Sequence, residues 1–119
     1  TDEEDDHEVE SCLQLPQPGS PGDPTDWFNT VVAAKGGVEQ NVVVLTLIGP
    51  PGPNPAQCPQ LDKCQGGIIG AEVSVRIDAF SKFFTYGFVG RVCENSYDAF
   101  FSEAVGVIKS ACDEFMPPE

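Results

Sequence analysis

The sequence predicts an α/β protein built on a parallel sheet, and three observations support this fold class. Two apolar runs, around 41–48 and 87–93, have the composition of strands. Three amphipathic segments, around 24–35, 73–84 and 95–114, alternate with these runs. Alternation of helix and strand is typical of parallel sheets with crossover helices, and 119 residues amount to one domain at most.

The chain begins with a segment, 1–22, that we expect to form a long loop. Seven of its first ten residues are acidic, and Pro, Gly and Ser dominate its second half. A run of like charge is usually a solvated loop or tail, and a metal-binding loop is the alternative. Asp23 and Pro24 then predict the start of the first helix, because Asp caps free amides and Pro suits the first helical position.

The run Asn41 to Ile48 is the strongest strand signal in the chain. It is β-branched with almost no polar alternation, which predicts a strand buried on both faces. A cysteine-containing loop is expected over 50–70, and the glycines in 87–93 favour a sheet edge for the second strand. Two strands do not make a stable parallel sheet, so we expect further strands from sequence before Thr1 or from another chain.

The last helix is predicted to begin at a cap on Asn95 and to run to about Glu114. One continuous apolar stripe is expected along it, formed by Tyr97, Phe100, Phe101, Ala104, Val105, Ile108, Ala111, Cys112 and Phe115.

The charge balance limits the classes of partner. Nineteen acidic residues oppose six basic ones, giving a net charge of -13. Nucleic acid is bound largely through basic side chains, and no basic patch is present. We therefore expect no nucleic-acid partner and no direct membrane insertion, and divalent cations or basic partners are the natural complements.

Five cysteines, without zinc-type spacing, indicate disulfides formed in an oxidising compartment. Cys12, Cys58, Cys64 and Cys93 are expected at the carboxyl edge of the sheet, where three pairings are open. Cys58–Cys64 with Cys12–Cys93 is the favoured pairing. Cys112 lies too far along the last helix to reach Cys93, so we expect it to be unpaired and buried, or paired outside the chain.

Three segments carry a resemblance to a known family: Thr1–Asp6, Asp26–Gly37 and Gly87–Cys93. Together they resemble the second half of von Willebrand factor A (VWA)-like domains in cysteine-containing bacterial surface proteins and lipoproteins. The resemblance implies a three-layer Rossmann-like parallel sheet, with 1–119 as the C-terminal half of one domain and the N-terminal half as its partner. It also implies a metal-ion-dependent adhesion site for Mg²⁺ or Ca²⁺ at the carboxyl edge.

The metal motif of that family carries over onto one residue of this chain, Asp2. Its Asp-x-Ser-x-Ser part is absent. Asp2 is therefore a candidate ligand, while Glu3, Glu4 and Asp5 are expected to shape the field around the ion.

These observations favour a non-catalytic extracellular or cell-surface module that binds a protein or surface ligand, in a divalent-metal-dependent manner. The alternatives are a structural cell-envelope domain without a working metal site and, last, a hydrolase. No catalytic residue is assigned, because the chain contains no Gly-x-Ser-x-Gly, Walker or Gly-x-Gly-x-x-Gly motif.

Overall fold

A computed structural model of the chain describes residues 4–7, 17–56, 58–59 and 70–117. The elements are β1 (Asp6–His7), β2 (Gln17–Pro18), α1 (Pro24–Ala34), a 3₁₀ turn (Glu39–Asn41), β3 (Val43–Ile48), α2 (Val75–Lys82), β4 (Tyr86–Arg91) and α3 (Asp98–Asp113). The expected order of three helices and two main strands is confirmed. The segment expected to be a loop additionally contains the short antiparallel pair β1–β2.

The two main strands run parallel, as predicted. Val43 pairs with Tyr86 and Ile48 with Arg91, which sets a register without a bulge. In the residues described here, β3 has β4 as its one sheet neighbour. The prediction that β3 is buried on both faces is wrong for most of its length, since Leu45 is 37% exposed and full burial is reached only at Ile48.

Two glycines of β4 show that helices cover both faces of this sheet. A Cβ on Gly87 would collide with the carbonyl oxygen of Ser81 in α2, and a Cβ on Gly90 would collide with the ring of Phe100 in α3. Side chains alternate between faces along a strand, so positions three apart point in opposite directions. The described residues therefore form a mixed α/β unit, in which α2 and α3 lie on opposite sides of a two-stranded parallel sheet.

Aromatic rings attach α1 to α2 on one side of the sheet. The Phe28 ring lies 5.0 Å from that of Phe84, and the Trp27 ring lies 6.1 Å from that of Phe80. The start of α1 agrees with the sequence prediction, because the Asp23 carboxylate accepts two backbone N–H groups of the first turn in a capping box.

The predicted cap of the last helix is wrong. The helix begins at Asp98 rather than after Asn95, and its first N–H donates to the hydroxyl of Ser96. The hydroxyl that accepts this N–H therefore belongs to Ser96, and Asn95 makes no such contact in the residues described. Just before the helix, the Tyr97 hydroxyl donates to the carbonyl of Val92 at 2.7 Å.

The apolar stripe predicted for α3 is present but divides into two. Ala104 and Ala111 are buried, and Phe100 stacks on Phe88 of β4 at 5.2 Å. A second row, one position further round the helix, stays exposed to solvent. Its members are Phe101, Val105, Ile108 and Phe115, which are 42–65% exposed.

Candidate functional site at the carboxyl edge of the sheet

The carboxyl edge of the sheet gathers the end of β3, the end of β4 and the start of α2. Ligands of open α/β sheets bind at this edge. The acidic segment reaches it through Glu4 and Asp5, which lie against the first turn of α2. Asp2 and Glu3 lie outside the residues described.

Glu4 serves as the cap that α2 lacks in its own sequence. The side chain of Ser74, the residue before the helix, makes no capping hydrogen bond. Instead the Glu4 carboxylate accepts the backbone N–H of Arg76 at 2.7 Å and that of Ile77 at 3.3 Å. A carboxylate at a helix N-terminus satisfies free amides and interacts favourably with the helix dipole. The N–H of Glu4 donates in turn to Glu72.

The side chain of Arg76 makes a second set of contacts with the acidic segment. Its Nη1 donates to the Asp5 carboxylate at 2.8 Å, and its Nη2 donates to the carbonyl of Gly22 at 2.7 Å. The guanidinium also lies over the Trp27 ring, 4.6 Å from its centre. The other oxygen of Asp5 accepts the N–H and the hydroxyl of Ser20.

These contacts change the roles expected for Glu4 and Asp5. Their carboxylates are directed at backbone amides, a guanidinium and a hydroxyl, so they act as a cap and an ion-pair partner. Across the described ranges, no group of three or more His, Cys, Asp or Glu residues is placed to hold a metal ion. The expected role of Asp2 as a ligand stays a prediction.

Sequence reasoning missed Arg76, and a signal for it was available. The chain contains two arginines among six basic residues, and both lie at this edge. An arginine in the first turn of a helix is unfavourable beside the helix dipole unless acids surround it. In a chain whose acids concentrate at residues 2–10, that position predicts contact between the two.

The second arginine, Arg91, forms an ion pair with a buried carboxylate, that of Asp78, while its own side chain stays partly exposed. Asp78 of α2 is 5% exposed and lies 3.3 Å from the Arg91 guanidinium and 2.6 Å from the Lys82 ammonium. Arg91 also donates to the carbonyl of Gly49, where β3 ends. Asp78 therefore fixes α2 to both strand ends, and its charge is neutralised within the fold.

A disulfide joins Cys58 to Cys93, with Cα atoms 5.4 Å apart. The favoured pairings Cys58–Cys64 and Cys12–Cys93 are therefore wrong. The physical reason is that Cys58 is buried beside Cys93, just beyond the end of β4, although the two residues are far apart in the sequence. Cys12 and Cys64 lie outside the residues described.

Cys112 carries a free thiol, as one of the two predictions for it stated, but it is exposed rather than buried. It lies at the opposite end of the sheet, because it lines a groove with Val43, the first residue of β3. Within the described residues, no helix is both long and apolar enough to cross a bilayer.

Among the residues that the structure describes, two oxygen atoms near the carboxyl edge are buried without a hydrogen-bond partner. They are Oδ1 of Asn54 and Oγ of Ser74. Ser74 is fully buried, and the Asn54 amide donates to the Ala71 carbonyl at 2.7 Å. Buried polar atoms are paired in the great majority of cases, so each of these two oxygens is an exception.

Comparisons of the chain with protein-family models, with curated proteins and with solved structures find no match. The resemblance to VWA-like domains therefore remains carried by the sequence segments alone.

Proposed function

We propose that the chain is a non-catalytic binding module of an extracellular or cell-surface compartment, which contacts a protein or surface ligand at the carboxyl edge of its sheet. Its mixed α/β fold is compatible with the C-terminal half of a three-layer VWA-like domain. The Cys58–Cys93 disulfide supports an oxidising compartment. The same bond fixes a loop at this edge, and a loop held still binds a ligand with less loss of entropy.

The observation that carries this proposal is the pair of unpartnered oxygens, Asn54 Oδ1 and Ser74 Oγ. An unsatisfied buried polar atom costs about 1–3 kcal/mol, and such a cost recurs at sites where a ligand completes the hydrogen bonding. Within the described residues, they are the two buried side-chain polar atoms without a partner, and we propose them as the groups that a ligand would stabilise.

A divalent cation, Mg²⁺ or Ca²⁺, forms part of the proposal. Glu4 and Asp5 do not fit as its ligands, because α2 amides, Arg76 and Ser20 occupy their carboxylates. Neutral amide and hydroxyl oxygens do fit, since both ions prefer oxygen ligands. Asp2 is the acidic residue assigned to this ion by the resemblance.

Calorimetric titration of the 119-residue chain with Ca²⁺, Mg²⁺ and Mn²⁺ tests the cation. Heat that Asp2→Ala and Ser74→Ala each reduce is the expected result. Glu103→Gln is the matched control for lost charge, because Glu103 is exposed on α3 and has no ion-pair partner in the described part of the chain. Loss of heat in this control equal to that in Asp2→Ala would reject a specific site.

Stability measurements on the same variants separate binding from folding. Ser74→Ala removes an unpaired hydroxyl, so we expect the free energy of unfolding of the cation-free chain to stay equal or to rise. Ser81→Ala is the matched control, because the buried Ser81 hydroxyl contacts Thr46 and donates to the Ile77 carbonyl. It should lower stability by about 1 kcal/mol and leave any cation heat unchanged.

The second candidate function is a structural cell-envelope domain without a working metal site. This alternative is favoured by the contacts of Glu4 and Asp5, whose carboxylates accept hydrogen bonds from protein groups. This alternative would be favoured over the first if none of the three cations gave heat and if Asp2→Ala had the same free energy of unfolding as the parent chain.

A further inference from the structure

We propose that the exposed apolar row of α3 is the contact surface for a second copy of this chain, and that Cys112 within the row forms a disulfide with the Cys112 of that copy. The row is called the α3 row below. Its members are Phe101, Val105, Ile108, Cys112 and Phe115. It is remote from the carboxyl edge, because Cys112 lies at the opposite end of the sheet, so the inference does not depend on the function proposed above.

The spacing of the α3 row is the one that suits the pairing of two helices. Its members follow one another at intervals of four, three, four and three residues, which is an apolar side chain about every 3.5 positions. Helices with this repeat pack side by side, and each side chain inserts between those of the facing helix. Phe100, Ala104 and Ala111 lie on the neighbouring face of α3 and pack against its own sheet or are buried there. The helix therefore has a second apolar face directed at solvent.

The area of the α3 row is sufficient for a pair of copies. Four of its members are 42–65% exposed, and Cys112 is exposed as well. With the adjoining Met116, which is 49% exposed, the apolar area amounts to roughly 500 Å² per copy. Two copies that meet through this face would bury roughly 1,000 Å², the lower limit for a specific interface. An apolar patch of this size on a soluble chain is typical of an interaction site.

The charges of α3 lie mostly away from the row, which lets two acidic chains approach through it. On a projection of about 100° per residue, three of the acids lie about 120° or more from the centre of the row. They are Glu103, Asp113 and Glu114. Lys109 is closer to the row and is paired with Asp113 at 2.6 Å, while Asp98 lies in the first turn, far from Cys112. The repulsion that remains between two chains of net charge -13 acts at long range, where salt screens it.

The thiol within the row favours a second copy over an unrelated partner. Cys112 is free and exposed in a chain that forms the Cys58–Cys93 disulfide. A two-fold arrangement brings the same surface of both copies together, so each residue near the axis meets its own counterpart. Helix axes about 8–10 Å apart place facing Cα atoms within the roughly 7 Å that a disulfide spans. One sequence thus supplies both the apolar surfaces and both sulfur atoms.

A groove beside Cys112 gives the facing copy room to pack. It has a volume of about 350 Å³, and its mainly apolar lining includes Ala111, Cys112 and Phe115. Asn41 fixes the end of the row there, because its side chain exchanges hydrogen bonds of 2.6 and 3.0 Å with the backbone of Met116. A large side chain from the end of the other copy's row therefore has a place to insert next to the sulfur atoms.

The bond forms by two thiol–disulfide exchanges with a small-molecule disulfide such as oxidised glutathione. The thiolate of one Cys112 attacks a sulfur of the small disulfide, which leaves a mixed disulfide on the protein and releases one thiolate. The thiolate of the second Cys112 attacks the protein sulfur of that mixed disulfide and releases the other. Two protein thiols are oxidised, and one small disulfide is reduced to two thiols. Without such an oxidant, Cys112 keeps the free thiol that the structure shows.

The test incubates the full 119-residue chain in a buffer of oxidised and reduced glutathione and follows dimer formation on non-reducing gels. Peptide mapping of the product should identify a fragment that links Cys112 to Cys112, with the Cys58–Cys93 bond intact. Cys112→Ser should give no covalent dimer. It should still associate reversibly in sedimentation equilibrium, and more strongly at high salt, because the rest of the row remains.

Val105→Asp and Val75→Asp form a matched pair of variants. Both residues are exposed helical valines, 65% and 55% exposed, and each change adds one negative charge, but Val75 lies on α2. Val105→Asp should slow formation of the covalent dimer about tenfold or more, while Val75→Asp should leave the rate within about twofold.

Three results would overturn the proposal. The first is a chain that ends as a monomer with glutathione on Cys112, or as a dimer linked through another cysteine. The second is an equal rate of dimer formation in Val105→Asp and the parent chain, since exposed thiols would then be meeting by random collision. The third is a Cys112→Ser chain that stays monomeric up to about millimolar concentration.

Discussion

Removal of the Cys58–Cys93 disulfide should cost a large share of the stability of this chain. The bond spans 35 positions in the sequence. In the chain-entropy description, closing a loop of about 35 residues in the unfolded state is worth about 4 kcal/mol. A domain of this size has a total stability of about 5–15 kcal/mol, so the loss is readily measured.

The assay is urea unfolding of the oxidised chain and of the double variant Cys58→Ala/Cys93→Ala. We expect the double variant to be about 4 kcal/mol less stable. Cys112→Ala is the matched control, because this thiol is free and exposed, and it should change stability by less than about 0.5 kcal/mol.

Peptide mapping of the oxidised chain identifies the bonded cysteines independently of the stability measurement. A fragment linking Cys58 to Cys93 is expected. The local pairing of Cys58 with Cys64 would close a loop of about six residues and contribute only about 2 kcal/mol. A double variant within about 1 kcal/mol of the parent chain, or a mapped Cys58–Cys64 bond, would refute the reasoning.

Three further predictions concern single residues. Arg76→Ala should lower the free energy of unfolding, measured in urea, by about 2 kcal/mol. Arg76→Lys should restore less than half of that loss, because a lysine ammonium lacks the planar set of N–H donors of a guanidinium. Gly87→Ala should cost about 3 kcal/mol in the same assay, because its Cβ meets backbone of α2. The pKa of Tyr86 is raised to about 12 by a hydrogen bond to Glu114, by burial and by neighbouring carboxylates. Because an unfolded tyrosine ionises near pH 10, stability should fall between about pH 10 and 12, and Glu114→Gln should bring the phenolate absorbance change to lower pH.

The order and direction of the main elements were predictable because they depend on local signals. Asp23 and Pro24 start α1 as expected, and the β-branched run ending at Ile48 forms a parallel strand. The start of α3 was not predictable from its cap residue. The first helical N–H donates to Ser96, and the preceding turn contains a hydrogen bond from Tyr97 to Val92, a contact that the helical pattern does not encode.

The disulfide and the role of the acidic segment were missed for a related reason. Both depend on how long loops fold back onto the sheet, which hydrophobic periodicity does not encode. Cys58 and Cys64 are close in sequence, yet Cys58 is bonded to Cys93. Glu4 and Asp5 are acids, which favoured a metal, but their nearest counter-charges are an arginine and a helix N-terminus.

The contacts of Glu4 and Asp5 nevertheless bear on the metal prediction for Asp2. Only Glu3 separates Asp2 from Glu4 in the sequence, so chain connectivity keeps their Cα atoms within about 7 Å of each other. Glu4 is bonded to the first turn of α2, so the acidic segment is attached to the carboxyl edge at this residue. Arg76 both orders this segment and repels a cation, so its removal has opposing effects on cation binding. Glu4→Gln weakens the attachment while leaving Arg76 in place. If Asp2 binds a cation at this edge, Glu4→Gln should therefore lower the affinity even though Glu4 itself is not a ligand.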